Sequence, residues 1–180
     1  MIEKIIPILK ADLSKILNQW AAEARSSDHL KDYQKLPDVE FNNRIKLVIE
    51  QFISWLEAGA VVHEAESYFT KVGSERMKEG FPLTEVVFAL YLIKKIIRDR
   101  FVEEEFVSQI TGKEAITCIT LLSNFFDLGV YFIVRGYTEK LYGKLDSLNK
   151  LSKQELDAIV AKESVEDEDW ESDEFIWRHV

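Results

Sequence analysis

Few side chains in this sequence are equipped for chemistry. Three histidines (His29, His63, His179) and a single cysteine (Cys118) are scattered through 180 residues. His63-Glu-Ala-Glu66 puts a carboxylate three positions after a histidine, so one helical turn brings both to the same face. Di-iron bundles place Glu before His and use the pair twice. Neither the order nor the duplication holds here, and His63 reads as a surface histidine near a helix start. As a phosphoacceptor it lacks the Lys and Gly that ordinarily follow on the same helix, because Glu66 and Ser67 stand there. Haem ligation has no second feature to support it. Cys118 lies beside an apolar stripe and reads as a small core residue. One cysteine excludes both an internal disulfide and a Cys-rich zinc site. There is no glycine-rich phosphate loop, and no nucleophile–base set can be singled out. The sequence therefore assigns no catalytic residue, no metal and no cofactor.

The one internal polar pattern is Thr117, Thr120, Asn124, Asp127 and Tyr131, which recur at three- and four-residue steps along one helix face. Facing inward, these groups would need partners that a polar ligand or water could supply. Facing outward, they are the solvent side of an amphipathic helix, and this second reading is preferred.

The elements that carry these residues read as helices. Leu9, Leu13, Ile16, Trp20 and Ala24 lay one apolar stripe on a first helix from about Ile6 to Arg25, with Pro7 in its first turn, where a missing N–H costs little. Asp38 is expected to cap a second helix whose buried face is Ile45, Val48, Ile49, Phe52 and Leu56, stopped by Gly59. A third runs from about Val62 to Lys78 with Ala65, Tyr68, Phe69 and Val72 inward. It ends at Gly80 in a left-handed terminus. Gly73 inside it predicts a close backbone contact or a kink. Thr84 is expected to cap a fourth helix, in which Val86 to Ile93 form an unbroken apolar run. A helix apolar all round is either central in its own bundle or part of a subunit interface. Val87, Leu90, Tyr91 and Ile97 are the interface candidates. Thr111-Gly-Lys-Glu114 is a capping box opening a fifth helix to about Gly143, and Ser152-Lys-Gln-Glu155 opens a short one to about Lys162.

Composition bounds the rest. Seven glycines and three prolines are too few for a β-sandwich. The net charge is −9. Eight acidic residues and one Arg between Glu163 and Val180 account for −7 of it, leaving a nearly neutral body without a basic patch. Nucleic-acid binding is not expected. Ala115 to Val134 has the length of a membrane span, but Asp127 within it argues for a soluble, cytoplasmic chain. The predicted organisation is an all-α bundle of about five helices over residues 1–149. Residues 150–180 add a short helix and an acidic tail, in which Trp170, Phe175 and Trp177 are candidates for docking on a partner.

Tyr68-Phe69, Glu75-Arg76 and Gly80-Phe-Pro-Leu83-Thr-Glu85, followed by an apolar helix, resemble the N-terminal sensory domain of RsbT co-antagonist proteins. Similar domains also precede histidine kinase cores. Trp20-Ala-Ala-Glu-Ala-Arg25 resembles the end of that family's first helix. The resemblance implies a helical, dimerising input module of bacterial stress or two-component signalling, with a kinase, anti-sigma or antagonist type of protein partner. It supplies no catalytic residues. In this sequence only a short helix and an acidic tail follow the expected bundle, so the chain is expected either to be a free-standing version that acts through a partner or to have its output half elsewhere. Arg76, Gly80 and Glu85 are expected to form the corner between helices three and four, with Arg76 and Glu85 as an ion pair. Two rivals stand beside this reading: a sensor holding a small molecule or haem between helices, and a helical enzyme with a dispersed site.

Overall fold

The computed structural model describes residues 2–103, 106, 108 and 110–147. The chain divides into a unit of residues 1–140 and a second of residues 141–180. Trp170, Phe175, Trp177 and the short helix expected after Ser152 lie outside the described residues.

Five α-helices and a 3₁₀ turn make up the described elements, with no strand among them: α1 (Ile2–Arg25), α2 (Asp38–Glu57), α3 (Val62–Glu79), α4 (Leu83–Phe101) and α5 (Gly112–Ser147). The all-α bundle expected from periodicity is therefore present. Helix α1 starts earlier than its apolar stripe indicates, and Pro7 lies within it rather than at its start. The proline removes one backbone hydrogen bond, to the carbonyl four residues back, and the helix continues through it. Ile5, Leu9, Ile16, Trp20 and Ala24 are all buried.

Arg25 organises the loop that follows. Its guanidinium donates to the carbonyls of Gln34 and Leu36 and to Asp38 (2.6 Å), and it lies 4.0 Å from the ring centre of Phe41. Asp38 does not cap α2. Pro37 holds the N-cap position with no side-chain cap bond, and the Asp38 carboxylate pairs with Arg25 instead. Thr84 is likewise displaced as a cap by Pro82. In both cases the fixed φ of proline aligns the chain for entry into the helix. The capping box at Thr111 does form, with Glu114 Oε2 accepting from the Thr111 N–H at 2.8 Å and Thr111 Oγ1 accepting from the Glu114 N–H at 3.3 Å.

Gly59 (φ 83°) and Ala60 (φ 63°) turn the chain from α2 to α3 in consecutive left-handed conformations. Trp55 closes this turn twice, its carbonyl accepting from the Ala60 N–H at 2.8 Å and its indole N–H donating to the Val61 carbonyl at 3.0 Å. At the other end of α3, Gly80 adopts the left-handed conformation expected of it (φ 85°).

Helix α4 is the central helix. Val86, Ala89, Leu90, Leu92, Ile93, Ile96, Ile97 and Phe101 are buried within the chain's own core. Leu90 and Ile97 are thus unavailable to a second subunit, which corrects their placement at an interface. Phe52, Trp55, Phe69, Phe125 and Phe126 form an aromatic centre, with Phe125 5.0 Å from Phe52 and from Phe69 and 5.2 Å from Trp55. Each such ring buried is worth about 1.5–3 kcal/mol.

Helices α3 and α5 meet backbone to backbone. A Cβ on Gly73 would lie 2.2 Å from the Ile133 carbonyl oxygen, and one on Gly136 would lie 2.1 Å from that of Thr70. The close contact expected at Gly73 is real, and it has a partner at Gly136.

Candidate functional site

The polar stripe of α5 faces outward. Thr120, Asn124, Asp127 and Tyr131 are exposed and Thr117 is half-buried. Thr117 and Thr120 turn their hydroxyls back to the carbonyls of Lys113 and Ile116, and Asp127 accepts from Lys94 at 2.8 Å. None of the five lines a cavity described below, so the inward alternative for the stripe gives way to the solvent-face one. The apolar core positions one and four residues away leave this side of the helix nowhere else to point.

The cavity within the bundle lies instead among α2, α3 and α4, with a volume of about 290 Å³. Ile45 and Val48 of α2, Val72 of α3, Val86, Ala89, Leu90 and Ile93 of α4, and Ile133 of α5 form its apolar wall. Tyr33, Arg44, Tyr68 and Arg76 give it a polar mouth. A larger space of about 580 Å³ between α3 and α5, lined by His63, Glu66, Thr70 and Arg135 among others, is a shallow open groove. A third, of about 250 Å³, lies against Pro7, Asp12 and Arg100. The α2–α3–α4 cleft combines apolar walls with polar groups at its mouth, a combination found in ligand sites.

The mouth is held by two arginines that share one carboxylate. Glu79 Oε2 accepts from Arg44 at 2.8 Å and from Arg76 at 2.7 Å. Arg44 also donates to Glu40. The arginine side chains are only 10% and 12% exposed, whereas Glu79 is 39% exposed. Burial opposes the charge on both sides of this cluster. The hydrogen bond from Arg44 and the charge of Arg76 outweigh it and bring the Glu79 pKa below the usual carboxylate value. Hydrogen bonds to Glu40 and Glu79 likewise outweigh burial and raise that of Arg44. Burial pushes the Tyr68 phenol up to about 12 and raises Tyr33, against the lowering influence of Arg76. Both phenols are therefore neutral at pH 7 and offer O–H groups beside two fixed cations.

The expected Arg76–Glu85 ion pair is not formed. Glu85 reaches the other way and accepts from the backbone N–H of Asp32 at 2.9 Å and of Tyr33 at 3.4 Å, at the start of the 3₁₀ turn. A carboxylate on free N–H groups at a helical start is well placed by its charge. Arg76 still belongs to the α3–α4 corner, where Gly80 and Phe81 donate to the carbonyls of Met77 and Arg76.

His63 is exposed and faces Glu66 at 3.7 Å. Glu66 accepts from Arg135 at 2.8 Å, and this hydrogen bond lowers its pKa. Among the described residues no three His, Cys, Asp or Glu side chains converge in a way that could hold a metal ion. Cys118 is buried, and burial raises its pKa to about 11. Val87 is half-buried, and Tyr91 is 39% exposed on the outer side of α4.

The described residues thus form an all-α bundle with a cleft among α2, α3 and α4. The family described as the RsbT co-antagonist protein RsbRD N-terminal domain matches residues 14–141. The chain belongs to this family, and its helical body is a stress-signalling regulatory domain. No curated protein and no solved structure matches the chain.

Proposed function

We propose that the chain is a non-catalytic, cytoplasmic input domain that dimerises and passes its signal to a protein partner of the kinase, anti-sigma or antagonist type. The observation that carries the dimer is the outer surface of α5. An 18-residue window of this helix has a mean hydropathy of 1.6, yet only 39% of it is buried within the chain. By length and composition alone α5 could cross a bilayer. Its packing favours a core helix, since Cys118, Leu122, Phe125, Phe126, Phe132 and Ile133 are buried. Ile116 and Tyr131 are 69% and 61% exposed. On α4, Val87 is half-buried and Tyr91 is 39% exposed, and the Lys94–Asp127 ion pair links α4 to α5. Aromatic residues on an otherwise uncovered helix pair are the composition expected of a subunit interface.

Native mass spectrometry tests this directly. The wild-type chain is expected as a dimer, and a Tyr91→Asp/Tyr131→Asp double variant as a folded monomer. A wild-type chain that stays monomeric at micromolar concentration refutes the dimer.

A further inference from the structure

We propose that the cleft among α2, α3 and α4 binds a small apolar monocarboxylate, with its hydrocarbon in the cavity and its carboxylate on Arg44 and Arg76. The volume sets the size. At about 30 Å³ for one water in the liquid, 290 Å³ is the volume of about ten waters, the scale of a short-chain molecule. The walls set the polarity: Ile45, Val48, Val72, Val86, Ala89, Leu90 and Ile93 offer no hydrogen bond from their side chains. Water in such a space is poorly held, and a hydrocarbon that displaces it gains the burial of its own surface.

The head group follows from the donors at the mouth. Guanidinium groups donate only, and their fork matches a carboxylate. Glu79 already displays the arrangement, with one carboxylate oxygen taking a hydrogen bond from each arginine. It stands in the last turn of α3 and is the more exposed partner of both pairs. The ionic groups around the mouth are Arg44, Arg76 and Lys71 against Glu40, Glu75 and Glu79. An incoming carboxylate adds a negative charge to a balanced set unless one is displaced. Exchange for Glu79, which swings into water, keeps the arginines paired and the balance intact. An amine would face two cations, and an alcohol would fill the cavity without matching the fork. The order of preference is therefore acid, then alcohol, then amine.

The exchange also gives binding a consequence. Glu79 is next to Gly80, and Arg76 supplies a carbonyl to the turn into α4. A ligand that releases Glu79 alters the α3–α4 corner, next to the central helix. This consequence rests on the reading of the chain as a signalling input domain; the binding itself does not.

The experiment is calorimetric titration of the delipidated full chain with octanoate, 1-octanol and octylamine at equal ionic strength. Octanoate is expected to bind saturably, one per chain, at least about tenfold tighter than octanol, as a charge-assisted pair is stronger than a neutral one. Octylamine is expected not to bind. Arg76→Gln should erase the preference for the acid while octanol binding persists, and Val72→Phe, which fills the cavity, should weaken both. Should Arg76→Gln fail to fold, Arg44→Gln serves the same comparison. Absence of saturable octanoate binding, or equal affinity for octanoate and octanol, overturns the proposal. Binding to a chain that is monomeric refutes the dimer and leaves the site standing; a dimer that binds none of the three does the reverse.

Discussion

Helix α3 meets its neighbours in two different ways. Toward α5 it presents Thr70 and Gly73, and the two backbones touch with no side chain between them. Toward α2 it presents Tyr68, Val72 and Arg76, and these side chains leave space between the helices. The first contact has no slack, because peptide groups cannot rearrange without moving a helix. The second is made of side chains that can rotate and of an ion cluster that can exchange partners. A bundle that must hold its fold and still answer a signal is served by both, with stability concentrated on one side of a helix and adaptability on the other.

This contrast is open to attack at its rigid end first. Gly136→Val places a branched side chain where even a Cβ meets the Thr70 carbonyl at 2.1 Å. We expect a loss of about 3 kcal/mol, the upper range for overpacking, read as a lower urea midpoint with an unchanged slope. A variant as stable as the wild type would show that α3 and α5 part easily.

The ion cluster should respond less. The Glu79 carboxylate is held below its ordinary value near 4.5, so its contribution is complete above that pH and is lost as pH falls through the depressed value. Glu79→Gln is expected to cost about 1 kcal/mol at pH 7, discounted for solvent exposure, and to flatten the decline in stability below pH 4.5. Melting curves of both proteins across the acid range measure it, and identical acid limbs would discard the role assigned to Glu79.

The smallest effect belongs to the cleft. Ala89 is 3% exposed yet lines the cavity, so Ala89→Val has room for its added methyl groups. A change within about 0.5 kcal/mol is expected, against the 1–3 kcal/mol typical of overpacking. A loss as large as that of Gly136→Val would mean that the space is not there.

Most of the fold was legible because periodicity is local. The stripes of Leu9 to Ala24 and Ile45 to Leu56 require only a helical repeat and a core. Gly73 and Gly80 were legible for the same reason, since glycine inside a helix or at its end has few explanations. The cleft was not legible. Arg44 stands between Asn43 and Ile45 on α2, and one of its partners, Glu79, lies 35 residues away. Glu85 could be paired with Arg76 on sequence distance alone, but its actual partners are backbone N–H groups from a turn before α2, which no side-chain pattern encodes. Leu90 satisfied both meanings of an apolar run, and only the surrounding helices decide between them. A signal for the α3–α5 contact was present in Gly129 and Gly136, seven positions apart on one face of α5, a spacing that marks a stripe of close approach.

The turn between α2 and α3 has a consequence for how folding can be watched. Trp55 is bonded across that turn through both its carbonyl and its indole, and its ring lies 5.2 Å from Phe125 of α5. Its emission therefore changes once when the helical hairpin closes and again when α5 docks. With Trp20, Trp170 and Trp177 replaced by Phe, a single native chromophore would time a local event and a long-range one within the same stopped-flow trace.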